Sequence, residues 1–340
     1  MRELYLPTGN EYVSLPDISE RTAAIWSFSC LHMGAKGLVE FHGDGSVPVM
    51  APFVHSRGAN LPLTDMVWQR LEYWVPEFTA HAGSLTVRGT ILAPVGERGF
   101  IYRLSLENPT ASAIDAAYGL SGLWAGARVC INESREIRGE MSVTDSLWNS
   151  GPVFELSCGL PFLAFAPMCE REIDAVHAET GAGTSYRLTR CVTLGPGESE
   201  SCCFYWGLGY EEVAAATSAK EMLRQGWNHE LKTTLDYLRS RSWHTDDSHL
   251  RALYNTNLFF CIFYSTGRTI DTEELVLVTS RSPRYYVSAA YWDRDSLFWS
   301  FPGILDADAA LAREMLLYAF GRQGRNIGTH SRFIDGTVLE

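Results

Sequence analysis

The stretch whose residue types could do chemistry is Tyr291-Trp292-Asp293-Arg294-Asp295, followed at once by Ser296-Leu297-Phe298-Trp299. Two carboxylates flank a guanidinium, and aromatic rings stand on both sides. A solvated charge run carries fewer aromatics, and a plain core helix carries no Asp-Arg-Asp. The mixture suits a concave site for a polar ligand with apolar faces. A sugar is such a ligand: its hydroxyls want Arg and Asp, and its C–H faces want aromatic planes. The candidate binding residues are Tyr291, Trp292, Arg294, Asp295 and Trp299. The expectation is that Arg294 and Asp295 face a cavity lined by Trp292 and Trp299, or by Tyr291 if Trp299 turns to the core. A plainer reading is an ion pair at a helix start, with Asp295 or Ser296 capping a helix from Leu297 to Ile304 and Asp293 near its positive end. It accounts for one carboxylate and leaves the aromatic cluster unexplained.

Several elements must position this stretch. Thr272 to Tyr286, with Val276, Val278, Arg281 and Arg284, reads as a long loop or small hairpin leading into it. A loop of that length inside a domain is usually functional. Before it, Thr245-Asp246-Asp247-Ser248 offers N-caps for a helix. Leu250, Leu253, Tyr254, Asn257, Leu258, Cys261 and Ile262 recur on one helical face, and Asn257 there reads as a satisfied buried amide. After the motif, Asp306 is the expected cap of a helix through Ala309, Ala312, Met315, Leu316 and Ala319. The chain from Glu211 to Gln225 is rich in helix formers and can end at Gly226, and Trp227, Leu231, Leu235 and Leu238 repeat at helical spacing. These two helices read as a linker.

From about Ala23 to Tyr210 the period is two. Tyr102, Leu104 and Leu106 alternate with Arg103, Ser105 and Glu107, and Phe204, Trp206 and Leu208 alternate again. Asn108-Pro109, Gly43-Asp44-Gly45 and Gly195-Pro196-Gly197 punctuate the strands as turns. The expected division is a β-sandwich domain over 1–210, a helical linker over 211–245 and helices from 246 to 340. Trp68, Tyr73, Trp74 and Phe78 could form a carbohydrate face, but aromatics more often fill sheet cores.

The 340 residues are 46% hydrophobic and 20% charged, which provides a sizeable core. A net charge of -12 disfavours nucleic acid and anionic membrane surfaces as partners. Met1 to Pro7 lacks the apolar run of a signal peptide, and no stretch is apolar and long enough to span a bilayer. The eight cysteines contain no CxxC, and most of them read as buried thiols of a reduced cytoplasmic protein. Neither a metal nor any other cofactor is expected, because ligand clusters and Gly-rich phosphate loops are missing from the sequence.

The succession of a large β-sandwich, a helical linker and helices carrying Trp-x-Arg-Asp resembles the six-hairpin glycosidases. The match is closest to the amylo-1,6-glucosidase-like, debranching branch. That branch has Trp-Gly-Arg-Asp, then Pro-Gly-Leu, an Ala-Arg pair and Gly-x-Ile-Pro-Asn. This chain has Trp292-Asp293-Arg294-Asp295, Pro302-Gly303-Ile304, Ala312-Arg313 and Gly324-Arg325-Asn326-Ile327-Gly328. Asp293 replaces the family's Gly, Gly328 stands where Pro is usual, and one extra residue separates Gly324 from Ile327.

The resemblance implies an N-terminal β-supersandwich and the first helices of an (α/α)6 barrel, that is, a multi-domain α+β chain. It implies that Arg294 and Asp295 hold sugar hydroxyls beside a Trp292 wall. It also implies an inverting mechanism, with two carboxyl groups ~6.5–9.5 Å apart. The residues after Thr245 suffice for about three helices of twelve. The barrel is therefore expected to be incomplete, and the chain to associate with itself or with a chain that completes it. The acid and base normally come from later helices and stay unassigned. Asp293, Asp335 and Glu340 are the carboxylates that could be considered. The implied function is hydrolysis of an α-glucan or related oligosaccharide. A phosphorylase on the same scaffold and a non-catalytic carbohydrate-binding or assembly module are the alternatives.

Overall fold

The computed structural model describes residues 4–131, 133–137, 140–149, 151–157, 163–292 and 294–323. Antiparallel strands occupy the chain up to Gly209, and helices dominate beyond it. The largest sheet has eight strands. Its order runs from Glu140–Ser146 through Gly151–Ser157, Leu163–Cys169, Ser199–Gly209, Gly99–Glu107, Leu85–Leu92 and Val75–Ala82 to Leu63–Leu71. A six-stranded sheet contains Ser27–His32, Gly37–His42 and Gly126–Ile131, and a five-stranded sheet is centred on Ile114–Trp124.

Period-two alternation decides which face of the large sheet meets what. Phe100, Tyr102, Leu104 and Leu106 point into one core with residues of the other two sheets, including Phe28, Phe41 and Tyr118. This makes the β-sandwich. Aromatic rings fill its centre: Phe165 stacks on Phe28 at 4.4 Å and on Trp206 at 4.6 Å, and Phe41 stacks on Trp124 at 5.0 Å. Ile101, Cys203 and Tyr205 point the other way, into a second core built with the helices. The large sheet is thus buried on both faces where the helices lie, while Leu63–Leu71 and the outward side chains Thr79, His81 and Arg88 meet solvent. Trp74 and Phe78 are core residues, and Trp68 packs on Phe78 while its indole N–H donates to Glu20 O at 2.8 Å. Those aromatics are sheet filling.

Helix α1 (Glu212–Gln225) lies on the sheet through Ala215, Ala216 and Ala219. Gly207 and Gly209 make this approach possible. A Cβ on Gly207 would stand 2.2 Å from Ala215 O, and one on Gly209 2.5 Å from Ala215 N. Helix α2 (Trp227–Arg241) comes directly after Gly226, which has φ 82° and ends α1 as expected. Helix α3 (Ser248–Tyr264) is capped by Asp247, whose carboxylate accepts from the N–H groups of His249 and Leu250.

The apolar stripe expected for α3 holds for Leu258 and Ile262, which are buried, and for Tyr254 and Cys261, which pack on the second core, and is corrected for the rest. Its buried side is Asn255, Leu258, Phe259, Ile262 and Phe263, while Leu250, Leu253 and Asn257 face outward. The satisfied buried amide is Asn255, which pairs with both the N–H and the C=O of Trp243 at 2.8 and 3.0 Å. The stripe at i, i+3 and i+7 was apolar on both flanks, so pattern alone could not choose the side that meets the sheet.

Thr266–Arg268 and Leu275–Leu277 form a small antiparallel hairpin. Beyond the motif come helices α4 (Phe301–Ala307) and α5 (Ala309–Gln323). Asp308 caps α5 by accepting from the N–H of Leu311 at 3.0 Å, and Asp306 sits inside α4. This corrects the expected cap by two residues. Among the described residues no helix is long and apolar enough to cross a membrane.

The two halves are sewn together along one extended segment. Four successive carbonyls there accept from the second core and its hairpin. Thr8 O accepts from the Tyr264 hydroxyl, Gly9 O from the Trp74 indole, Asn10 O from Arg281 and Glu11 O from the Arg268 N–H. Each bond satisfies a backbone group that burial would otherwise strand.

Candidate saccharide site

Arg281 anchors the loop that leads into the motif. It is fully buried, and its guanidinium donates to Asn10 O at 2.5 Å and Phe263 O at 3.0 Å. Burial pushes its pKa down to about 10, against the opposing pull of Tyr264, Glu11 and Cys30. The loop closes on itself, with Thr279 N–H donating to Ala290 O at 2.7 Å and Ser280 N–H to Ser288 O at 2.9 Å. Three residues after the anchor, Arg284 holds Asp17 of the β-half with both oxygens, at 3.1 and 2.9 Å from Nε. Asp17 is buried and also accepts from the Ser27 hydroxyl at 2.7 Å.

The motif itself winds into a wide π-helical turn, Arg294–Ser300, that runs into α4. The expected single helix from Leu297 to Ile304 is therefore corrected, as is its cap at Asp295 or Ser296. Pro302 sits in the first turn of α4, where its missing N–H costs nothing. Single π-turns recur at functional sites.

A cavity of about 500 Å³ opens between α3, the closed loop and this turn. Asp295 and Trp299 line it, together with Phe260, Ser280, Arg284 and Tyr285. Hydroxyls are dense around it: Ser265 and Ser300 share a hydrogen bond of 2.8 Å, and Thr279 and Ser282 also face it. Trp299 is 72% exposed, so one wall stands open to solvent. The Asp295 side chain is 17% exposed and accepts from Arg294 Nε at 3.3 Å, while the Arg294 side chain is 59% exposed. Burial, then Tyr286 and Asp295, push the Tyr285 phenol up, and the Arg294 charge pulls it down. Burial also pushes up the Cys261 thiol on the cavity wall.

The motif residues therefore divide. Asp295 and Trp299 line the cavity. Tyr291 does not: it is buried edge-on against Tyr318 at 6.0 Å and belongs to the second core. Trp292 is half-buried and Arg294 reaches outward, and neither lines this cavity. The physical reason is the wide turn, which swings Arg294 to the rim and leaves Asp295 inside. Asp293, Asp335 and Glu340 lie outside the described residues, as does the stretch Gly324 to Gly328. Phe260, Ser280, Arg284 and Tyr285 were not among the candidates. The paired arginines of the preceding loop were the available signal.

Among the residues lining this cavity the one carboxylate is Asp295. The arrangement can hold hydroxyls and stack a ring, but these residues do not assemble an acid–base pair.

No protein-family model matches the sequence, and no curated protein matches it. Solved structures do. A protein from the human microbiome assigned as a kojibiose phosphorylase aligns with a TM-score of 0.57 and 11% identity, over 98% of this chain and 50% of its own. A bacterial glucoamylase complexed with acarbose aligns with a TM-score of 0.53 and 10% identity, over 100% of this chain and 54% of its own. The chain thus spans about half the length of the solved structures it matches. At these identities the likeness shows the fold: antiparallel sheets in a β-sandwich followed by a few helices, as in the N-terminal half of such carbohydrate-active chains.

Proposed function

We propose that this chain binds a glucose-containing oligosaccharide in the Asp295 cavity. In this reading it serves as the sugar-holding part of an inverting glycoside hydrolase of the debranching kind. One observation carries the reading: a single partly buried carboxylate, Asp295, faces a hydroxyl-rich cavity walled by Phe260, Tyr285 and Trp299. Charged acceptors bind hydroxyls at about 1.5–3 kcal/mol each, and aromatic faces take the C–H side of the ring. The general acid and base belong, in this proposal, to the part of the enzyme outside this cavity.

The likeness to a kojibiose phosphorylase favours one second reading, in which phosphate replaces water as the attacking group. Product formation that requires inorganic phosphate distinguishes it.

The test is paired. Asp295→Asn keeps the shape and removes the charge-assisted bond, so affinity for maltotetraose should fall about 10- to 100-fold. Arg294→Lys keeps the charge and loses the fork, and should weaken binding less, because Arg294 stands at the rim. Melting temperatures of both should stay near that of the unmodified chain. If Asp295→Asn leaves affinity unchanged while lowering the melting temperature severely, the carboxylate is a structural ion-pair member and the proposal fails.

A further inference from the structure

Arg284 reaches the Asp295 cavity from a loop that is fixed without it. Arg281, three residues earlier, is fully buried and donates to Asn10 O and Phe263 O. The backbone bonds from Thr279 to Ala290 and from Ser280 to Ser288 close the loop. Arg284 adds a second tie, to Asp17, although its own side chain is 53% exposed. An ion pair with one end in solvent adds little to a loop already anchored. Asp17 is 1% exposed, and a carboxylate is kept in such a place only where its partners are complete. The pair therefore asks for a role other than holding the loop.

The β-half holds Asp17 in place. Its C=O accepts from the Trp26 N–H at 3.0 Å, and its neighbour Ile18 bridges Ile25. The carboxylate accepts from the Ser27 hydroxyl at 2.7 Å and from Arg284 Nε at 3.1 and 2.9 Å, and Arg284 Nη2 stands 2.8 Å away. The guanidinium is thus gripped along its Nε–Nη2 edge. Nη1 donates to no described residue, so its two N–H groups are the end left for a ligand. Arg284 also borders a hollow in the β-half, together with Glu40, Arg128 and Asp44. There Glu40 pairs with Arg128, and Asp44 accepts from the Ser46 and Val47 N–H groups of its own turn. Asp17 is the carboxylate that Arg284 keeps.

The charged lining of the cavity is Asp295 and Arg284. Arg294 accompanies Asp295 and Asp17 accompanies Arg284, so the four charges cancel. A neutral sugar can serve both, giving one hydroxyl proton to Asp295 and accepting from Arg284 Nη1 with another hydroxyl. An anionic sugar would have to compete with Asp17 for the guanidinium and would face Asp295 as well. We infer that Asp17 is a positioning and specificity-determining residue of the saccharide site. It turns the Nη1 end of Arg284 toward the Asp295 cavity and cancels its charge, so that the site takes a neutral sugar over an acidic or phosphorylated one. The inference rests on the saccharide reading of the Asp295 cavity. It adds that a residue of the β-half, touching no ligand itself, sets the charge class of the ligand.

Titration calorimetry on the full chain, with maltotetraose and with glucose 6-phosphate, tests this. The unmodified chain should prefer maltotetraose. Asp17→Asn keeps the size and removes the charge, so maltotetraose affinity should fall about tenfold and glucose 6-phosphate affinity should rise about tenfold. Arg284→Gln should weaken maltotetraose binding by a similar factor and give no gain for glucose 6-phosphate. The opposite response of the two variants to the anionic sugar is the signature of the role. A purely structural ion pair lowers the melting temperature of both variants and leaves the ligand preference unchanged, and that result overturns the inference. If Asp17→Asn folds poorly, Arg284→Gln decides: an unchanged maltotetraose affinity overturns the role given to the pair. If Asp295→Asn weakens maltotetraose binding while the preference ignores Asp17 and Arg284, this inference fails and the saccharide reading stands. Absence of maltotetraose binding to the unmodified chain overturns both.

Discussion

Large apolar side chains are sealed at the centre of the sandwich and more often left open on the helices after residue 248, although Val67, Leu147 and Trp148 of the strand half are exposed too. In the sandwich, Trp124, Trp206, Tyr102 and Phe28 are sealed between sheets. In the helical part, Leu253 on α3, Phe298 and Trp299 in the wide turn, and Leu317 and Phe320 on α5 are more than half exposed. The difference is one of layers. The central strands Gly99–Glu107 and Ser199–Gly209 have packing on each face, whereas α3, α4 and α5 have the sheet and one another on one side only. Exposed apolar patches of this kind mark surfaces used for interaction. The Asp295 cavity sits among those helices.

That contrast can be broken by substitution, and the largest effect belongs to the sandwich. Trp206→Ala empties a site packed by Phe165, Phe100, Phe154 and Tyr186, and should cost about 3–5 kcal/mol of unfolding free energy by urea titration. A loss under about 1 kcal/mol would mean that the aromatic stack is dispensable.

Helix α2 should make stability respond to pH. Glu230 on α2 is 3% exposed, and its Oε1 finds no protein partner. Burial first, then Glu97 and Glu221, push its pKa up to about 7. The folded state therefore holds this proton more tightly than the unfolded chain. Its stability is highest below the ordinary carboxylate range and falls as pH rises through about 7. Glu230→Gln should raise stability by about 1–3 kcal/mol at pH near 8 and by little at pH near 4.5. An equal gain at both would show that charge burial is not the cause.

The smallest effect belongs to the open helices. Leu253→Gln and Phe298→Ser should change stability by less than about 0.5 kcal/mol while lowering the tendency to associate, measured by light scattering. A loss of several kcal/mol would show that these side chains are covered.

Where the pattern had one physical meaning, the chain could be read directly. Alternation puts Tyr102, Leu104 and Leu106 in the sandwich core as read, whereas in Phe204–Leu208 the intervening Tyr205 is buried as well, in the second core. The change to helix near Glu211, the end at Gly226 and the cap at Asp247 follow from local backbone chemistry. Where two outcomes shared one pattern, it could not. The α3 stripe was apolar on two flanks, and the motif could wind as one helix or as a π-turn running into another. Tyr291 and Trp299 looked alike in sequence, yet one is core and the other wall.

By itself the sequence determined the change from strands to helices near Glu211, the end of α1 at Gly226, the cap at Asp247 and the chemistry-bearing motif, because propensity, period and capping act over a few residues. Tertiary structure alone decided that Thr8 to Glu11 would be the seam, and that Arg281 would be buried three residues from an Arg284 that lines the Asp295 cavity and holds Asp17, 267 residues before it. Those outcomes depend on which faces meet, and side chains far apart in sequence become neighbours only when the sheets and helices close on one another.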